Sequence, residues 1–568
     1  MSDRYDIVPL KAPRLTGLAL KALVGLAERE LLGRPLRSEM KKTAGIDGFR
    51  RTPCDASPIV EPLPVRPGAD GSGGMDLAAV AGLPAQAQGF HFETVADFQR
   101  AYQTGDATPA QVAERITASI AAAEGLPQAL RTFIAHDAAD LMAQAQASTA
   151  RWSAGEPLGP LDGIPVAIKD ELDQVPYPTT VGTRFMGSEP ASSDATVVAR
   201  LRAAGALLIG KANMHEVGIG VTGLNPHHGA ARNPYDPTRV TGGSSSGSAA
   251  AVAAGLCPIS VGADGGGSVR TPASLCGVVG LKATWGRISE HGAAPLCWHV
   301  AHVGPLGATV ADTAAAYAVM AGPDAHDPWS LKQPAPHLDG LEQGDLTGLN
   351  LGIYRPWFDD ADASVVQACE QGVAALVAAG AQVQEIVLPQ LSVMRVAHLV
   401  TIASEMVASQ LPYDRDHRRD YGLDTRMNFA LARDFTASDY VHARRLRNHF
   451  TADVLARMGS VDVIVTPTNG CTAPPLRPDA LPDGESDLAT LDRIMRFVTL
   501  ANLIGFPALS VPCGADDDGL PVGLQLMGRP WEEALLFRLG RVVEAATTRP
   551  APRVHWRLLG GEAPSLRG

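Results

Sequence analysis

The sequence predicts an α/β fold, an α/β/α sandwich around a central mixed β-sheet, because helical segments alternate along it with short apolar strands. Six stretches carry this reading. Thr108-Pro109-Ala110-Gln111 supplies an N-cap, an N1 proline and a capping-box glutamine ahead of Val112, Ile116 and Ile120 at helical spacing. Residues 197–208 carry a helix into a strand, and 349–354, 382–387 and 462–466 read as further strands. GIPVAIKD, residues 163–170, is another short strand, without charge until it ends on Lys169.

Before these elements the chain reads differently. Residues 15–27 form an apolar run interrupted by Lys21, too short for the roughly 20 residues of a spanning helix. They predict an amphipathic helix whose stripe is Leu15, Leu18, Ala22 and Leu26, with Ala19 and Leu23 on an adjoining row. Lys11, Arg14 and Lys21 would form a polar flank or face a membrane surface. The alternative is a helix packed on its own catalytic domain or on a second subunit. Residues 52–74, rich in Pro, Gly and small polar residues, predict an extended connector, with organised structure resuming by His91. The division expected is therefore an N-terminal helical arm and connector over 1–75 and a catalytic domain over 76–568.

Bulk properties set outer limits. A chain of 568 residues with 45% hydrophobic content can bury a large core. Its net charge of −12 argues against the phosphate attraction that nucleic-acid binders use, so no nucleic-acid partner is expected. The acidic, polar opening from Met1 to Asp6 predicts no signal peptide. Seven cysteines without C-x-x-C pairs read as a reduced, intracellular pattern, and a cytoplasmic protein is expected. His215-Glu216 and His227-His228 lack the spacing of a zinc site and read as loop and core histidines; no metal or cofactor is expected.

Residues 241–282 are the most informative. Gly265-Gly266-Gly267-Ser268 concentrates in one turn the cost that glycine carries in regular structure, about 0.5–1 kcal/mol per site relative to Ala. Unshielded N–H groups there can point at one anionic oxygen beside a serine hydroxyl. Upstream, Lys169 ends an apolar strand and should be buried. Burial without a paired anion disfavours its ammonium and makes it a general base; the alternative is a structural pair with Asp170 or another acid.

These motifs, GIPVAIKD, GGSSSGS, GADGGGSVRTPAS and CGVVGLK followed by Gly304-Pro305-Leu306, occur in one order that resembles the amidase signature family. The resemblance implies an α/β/α sandwich built as one large domain, where length alone would suggest about three or four domains. It implies a Ser-Ser-Lys triad in which Lys169 is the base, Ser244 the bridging serine on a cis Gly243–Ser244 peptide, and Ser268 the nucleophile. It also implies an oxyanion hole from the backbone N–H groups of Gly265, Gly266, Gly267 and Ser268. Ser245 and Ser246 are expected to support the turn.

Further segments, among them GLNPHHGAARNPYDPTRVTGGSSSGS, DFTASDY, VDVIVTPTNGCTAPPL and MRFVTLANLIGFPALSVP, resemble the plant-type fatty acid amide hydrolases over nearly the whole chain. That branch implies hydrolysis of long-chain fatty acid amides, N-acylethanolamines foremost, in a homodimer with peripheral membrane contact through the first helix. The alternatives are a broad-specificity small-amide or aryl-amide amidase and a glutamine amidotransferase subunit. Met214, Val393, Met394, Ile402, Met406 and Met527 are candidates to line an acyl channel, although residues of this kind are more often simple core. Ala263 departs from the threonine usual before Asp264, which puts a local hydrogen bond in question.

Two motifs point elsewhere. Residues 243–247 satisfy G-x-S-x-G, which would make Ser245 a nucleophile, but they follow what reads as a Pro-broken loop over 232–238, where that elbow needs a strand. Residues 218–223 fit G-x-G-x-x-G, yet trail 211–217, which reads as the start of a helix, so no dinucleotide site is expected.

Overall fold

The computed structural model describes residues 4–10, 12–59, 61–66, 74–560 and 565–566. Among these, eleven strands form one mixed sheet. Its order is Gln382–Glu385, Asn350–Ile353, Val463–Pro467, Pro521–Gly528, Ala508–Ala515, Val279–Lys282, Val303–Gly307, Ile259–Ala263, Pro165–Lys169, Leu207–Ala212 and Phe133–His136. Pro165–Lys169 lies between two parallel neighbours, Leu207–Ala212 and Ile259–Ala263. All five of its residues are buried. A strand covered on both faces has no polar face to alternate, which is why it reads as a continuous apolar run.

Flanking helices complete the α/β fold. Ala363–Ala378 and Glu533–Ala546 pack on strand Ala508–Ala515, and Ser246–Ala253 packs on Ile259–Ala263. The last of these is buried on every side, which accounts for its run of Ser, Gly and Ala. The helix begun at Thr108 spans Pro109–Glu124 with both halves of the capping box formed, and it buries Val112, Ile116 and Ile120. Helix Thr196–Ala203 runs into strand Leu207–Ala212 as the pattern predicts.

Two local expectations fail, both because strand pairing outweighs local propensity. Residues 211–217 do not open a helix: Lys211 and Ala212 close a strand, and only a 3₁₀ turn, Glu216–Gly218, follows. Residues 232–238 are not a plain loop, because Arg232–Asn233 and Asp236–Val240 pair as an antiparallel hairpin.

The N-terminal arm also differs from its expected form. Among its described residues it holds three helices, Gly17–Ala27, Arg34–Thr43 and Ile46–Arg51, rather than one. Leu15 is not helical; it pairs in a short strand with Ser486. The buried face of the first helix is Leu20, Val24 and Ala27, packed on Leu423, Met427 and Ala430, while Leu18 is 85% exposed and Leu26 41%. The stripe drawn through Leu18, Ala22 and Leu26 is thus the outer face. The residue rows of an isolated helix do not say which of two apolar faces meets the domain. Arg14 pairs with Asp479 and Glu485, and Arg426 with Glu28, tying the arm down; Lys11 lies outside the described residues. In the connector, residues 52–59 and 61–66 have no regular structure. They are strapped down by Arg445 on the carbonyls of Cys54 and Ala56 and by Trp531 on that of Leu63; Val60 and residues 67–73 of this segment lie outside the described residues.

Candidate active site

The end of strand Pro165–Lys169 places Lys169 against the turn that follows the 236–240 strand. Lys169 Nζ lies 2.8 Å from Ser244 Oγ and 3.3 Å from the Ala263 carbonyl. The Gly243–Ser244 peptide is cis. Ser244 and Ser268 are almost fully buried, and the N–H of Ser245 donates to the Ser268 carbonyl at 3.2 Å, which locks the two serine turns together.

The acid nearest to Lys169 is not Asp170 but Glu171, whose Oε2 lies 2.6 Å from Nζ with both side chains buried. Asp170 faces the other way, accepting from Thr180 and from the Gly182 N–H at 2.9 Å, with Lys211 Nζ 3.5 Å away. Burial lowers the pKa of Lys211, against the opposing pull of Asp170 and Asp173. The departure at position 263 is without consequence for Lys169, because what that position supplies is a backbone carbonyl.

Ser245 and Ser246 support the turn as expected. Ser245 Oγ donates to the Ala263 carbonyl at 3.2 Å, and Ser246 Oγ to that of Asn213 at 3.2 Å. The hairpin before it and helix Ser246–Ala253 after it give the G-x-S-x-G run a strand–turn–helix setting after all. What sets Ser245 aside as a nucleophile is that its hydroxyl is wholly buried and already bonded.

The glycine turn is built around a carboxylate. Asp264 accepts from the N–H groups of Gly267 at 2.7 Å and Val269 at 3.2 Å, and from Arg270 Nε and Nη2 at 3.0 Å each. Arg270 spreads its remaining contacts over the Val498 carbonyl, Gln525 and Asn502. Burial would raise the Asp264 pKa, but the Arg270 guanidinium, the Asn502 amide and Lys282 hold it far below the usual carboxylate range.

This arrangement corrects one expectation: the Gly267 N–H is spent on Asp264 and is not free for an oxyanion. Among the described residues no group accepts from the N–H of Gly265, Gly266 or Ser268, so the available donors are three. The divergence has a local cause. Gly267 sits at φ +114°, where a side chain is strained and a Cβ would lie 2.6 Å from Val498 Cγ2, and there its N–H turns inward.

His398 Nε2, 2.7 Å from the Gly265 carbonyl, fixes the outer end of the turn, and because a carbonyl only accepts, His398 is the donor. Burial lowers its pKa to about 4, and that of His555 likewise to about 4, while His302, beside the Asp264 carbonyl, is pushed well down. Groups whose pKa is lower folded than unfolded bind fewer protons in the native state. They leave stability intact above about pH 6.5 and erode it as the pH falls towards about 4. The urea midpoint should therefore drop across that window. His555→Gln, remote from the serines, should flatten the drop, and an unchanged slope in that variant would exclude His555 as a cause.

The apolar candidates divide. Met214 and Met406 are buried in one cluster with Leu296, Cys297 and Val300, with Ile402 packed against it, and a Cβ built on Gly265 would lie 3.2 Å from Ile402 Cδ1. Met394 and Met527 belong to a different core with Phe497 and Phe506, and Val393 packs against that core, so these three are not brought to the glycine turn by this cluster. Helix Leu391–His417 is long enough to contribute to both. The histidines near the serine turn have partners of their own: His215 with Asp424, His227 with Glu216, His228 with the Thr183 carbonyl. All seven cysteines are free thiols. Sequence reasoning missed Glu171, Asp264, His398 and Asn502. Only Glu171, two residues beyond Lys169, had a local signal.

The structure thus brings a buried lysine onto a serine hydroxyl, tied to a glycine turn in which the N–H groups of Gly265, Gly266 and Ser268 have no acceptor among the described residues. The chain belongs to the amidase family, whose model matches residues 114–537. It is 41% identical over 581 residues to a fatty acid amide hydrolase of Arabidopsis thaliana, covering 96% of each chain. It is 36% identical over 491 residues to a subunit of the glutamyl-tRNA(Gln) amidotransferase of Chloroflexus aggregans, covering 81% of this chain and 98% of that one. In structure it is similar to the native peptide amidase from Stenotrophomonas maltophilia, with a TM-score of 0.71 and 28% identity, covering 81% of this chain and 98% of that one.

Proposed function

We propose that the protein hydrolyses long-chain fatty acid amides, N-acylethanolamines foremost, to the free acid and amine through an acyl-enzyme on Ser268. The observation that carries the mechanism is the 2.8 Å contact of Lys169 Nζ with Ser244 Oγ beside a turn with free N–H groups. Neutral Lys169 takes the Ser244 proton as Ser244 takes that of Ser268, and Ser268 Oγ adds to the amide carbonyl. The N–H groups of Gly265, Gly266 and Ser268 receive the oxyanion. The proton returns along the relay to the nitrogen as the C–N bond breaks, because an amine anion is a very poor leaving group. Water then repeats the relay to release the acid.

The lipid substrate is supported by similarity over almost the full length to a protein named for fatty acid amides. The apolar cluster of Met214, Ile402, Met406 and Cys297 beside Gly265 is where an acyl chain would lie. We place the protein in the cytoplasm as a homodimer, with peripheral membrane contact through the exposed Leu18, Leu26, Leu31 and Leu32.

An acyl-chain and head-group panel tests the substrate. Each buried methylene is worth roughly 0.8 kcal/mol, so kcat/KM should rise by about fourfold for each added carbon until the channel is full. Preference for acetamide-like or aryl amides would move the assignment to a small-amide amidase. Preference for glutamine would favour the amidotransferase reading, for which the relative of Chloroflexus aggregans is the motive.

A further inference from the structure

We infer that Glu171 is a positioning residue for the proton relay: its carboxylate aims the lone pair of Lys169 at Ser244 and compensates the ammonium that forms when the proton arrives. The inference rests on the proposed role of Lys169 as base and extends it to a residue outside the triad.

Valence sets the directions. A neutral lysine has two N–H hydrogens and one lone pair. Lys169 Nζ has three polar neighbours: Ser244 Oγ at 2.8 Å, the Ala263 carbonyl at 3.3 Å and Glu171 Oε2 at 2.6 Å. A carbonyl and a carboxylate can only accept. The Ala263 carbonyl takes one hydrogen, the Glu171 charge draws the remaining N–H side of the amine towards itself, and the lone pair is left for the one neighbour that can donate, the Ser244 hydroxyl. Without Glu171 the amine could turn a hydrogen towards Ser244 and present no base.

The surroundings leave Glu171 no other use. Its side chain is 7% exposed and that of Lys169 is 1% exposed. Among the described residues Oε2 has no hydrogen-bond partner, and its 2.6 Å approach to Lys169 Nζ is an ion-pair contact without hydrogen-bond geometry. The backbone at this position is anchored, since the Glu171 carbonyl accepts from the Ala294 N–H at 2.8 Å. The other ionisable groups packed about the pair are accounted for. Asp170 faces Lys211, and Glu405 is held by His299 and Tyr440. Cys297 stays a thiol in its buried cluster, its pKa raised by burial and then by Glu405, Glu290 and Glu171. Glu290 is pushed well up by burial, then by Asp327, Glu171 and Glu405, which favours its neutral form. Glu171 is thus the carboxylate in ion-pair contact with the base.

The effect has two opposed signs, which separate it from simple structural support. A neighbouring negative charge favours the protonated form of an amine both as the proton arrives and in the resting state. Removing the charge should lower the plateau rate and also shift the rising limb of the pH profile to lower pH. A loosened site would lower the plateau alone.

The test measures two quantities against pH for the wild type, Glu171→Gln, Glu171→Asp and Lys169→Ala: kcat and KM on a short chromogenic anilide, and the rate of fluorophosphonate labelling of Ser268. For Glu171→Gln the plateau kcat and labelling rate should fall by at least about tenfold, part of the roughly 10²–10⁴ that a positioned proton acceptor contributes. KM should stay within about twofold and the limb should move down by about one pH unit, the scale on which a neighbouring charge acts. Glu171→Asp should keep the wild-type limb and recover part of the rate. A limb unmoved in Glu171→Gln, or a plateau within about twofold of wild type, overturns the inference. If Glu171→Gln does not fold, Glu171→Asp decides alone: a limb shifted down as far as a neutral side chain would shift it counts against the carboxylate. If Lys169→Ala labels Ser268 as fast as wild type, the base assignment itself fails, and the two failures are distinguished.

Discussion

Ser268→Ala should abolish fluorophosphonate labelling and reduce amide turnover by roughly 10⁴-fold or more, since the attacking oxygen is gone and only the oxyanion donors and binding remain. Lys169→Ala and Ser244→Ala should fall almost as far, because each breaks the one chain along which the proton leaves Ser268 and returns to the leaving nitrogen. Residues that act as a unit are strongly non-additive, so the Lys169→Ala, Ser268→Ala double variant should be no slower than Ser268→Ala. The geometry behind this is the 2.8 Å contact from Lys169 to Ser244 and the tie between the Ser245 N–H and the Ser268 carbonyl. Labelling that survives in Ser268→Ala and maps to Ser245 would instead support the nucleophile-elbow reading, for which the hairpin and helix around 243–247 supply the right setting.

The second large effect is on stability. Asp264→Asn should cost about 3–5 kcal/mol, the range for removing one partner of a buried ion pair, because it leaves the Arg270 guanidinium fully buried and uncompensated. It also weakens the acceptor for the Gly267 and Val269 N–H groups, so the turn that presents Gly265, Gly266 and Ser268 should loosen. The urea midpoint and the labelling rate of Ser268 should fall together. A variant within about 1 kcal/mol of wild type would show that Asn502 and Gln525 suffice to hold Arg270. A stability loss with unchanged labelling would separate the ion pair from the shape of the turn.

Much of the candidate site was legible in the residues because its motifs are short, contiguous segments. A lysine ending an apolar strand, a serine turn and a triple glycine each carry a local constraint, and their order along the chain carries the family. The α/β class was legible for the same reason: the Thr108 capping box and the apolar strand 165–169 are local patterns with local physical causes. The failures are of two kinds. Lys211 and Ala212 became strand through partners elsewhere in the chain, whereas the stretch read as a loop over 232–238 closed as a hairpin on its own neighbouring residues despite its prolines. The first helix offered two apolar rows, and only the surface of Leu423, Met427 and Ala430 decided which one is buried.

By itself the sequence determined the class of fold and the family, and through the resemblance its motifs carry it named Lys169, Ser244 and Ser268 as the candidate site. The tertiary structure decided which groups those residues meet. It gave Lys169 the carboxylate of Glu171 rather than that of Asp170, spent the Gly267 N–H on Asp264, and brought His398 from 133 positions away onto the Gly265 carbonyl. It also split the apolar candidates, placing Ile402 beside Gly265 in one cluster with Met214 and Met406 and assigning Met394 and Met527 to a separate core. The reason is physical: a hydrogen bond or an ion pair is settled by direction and distance within a few ångströms, and side chains far apart in sequence acquire both only when the sheet and its helices have packed.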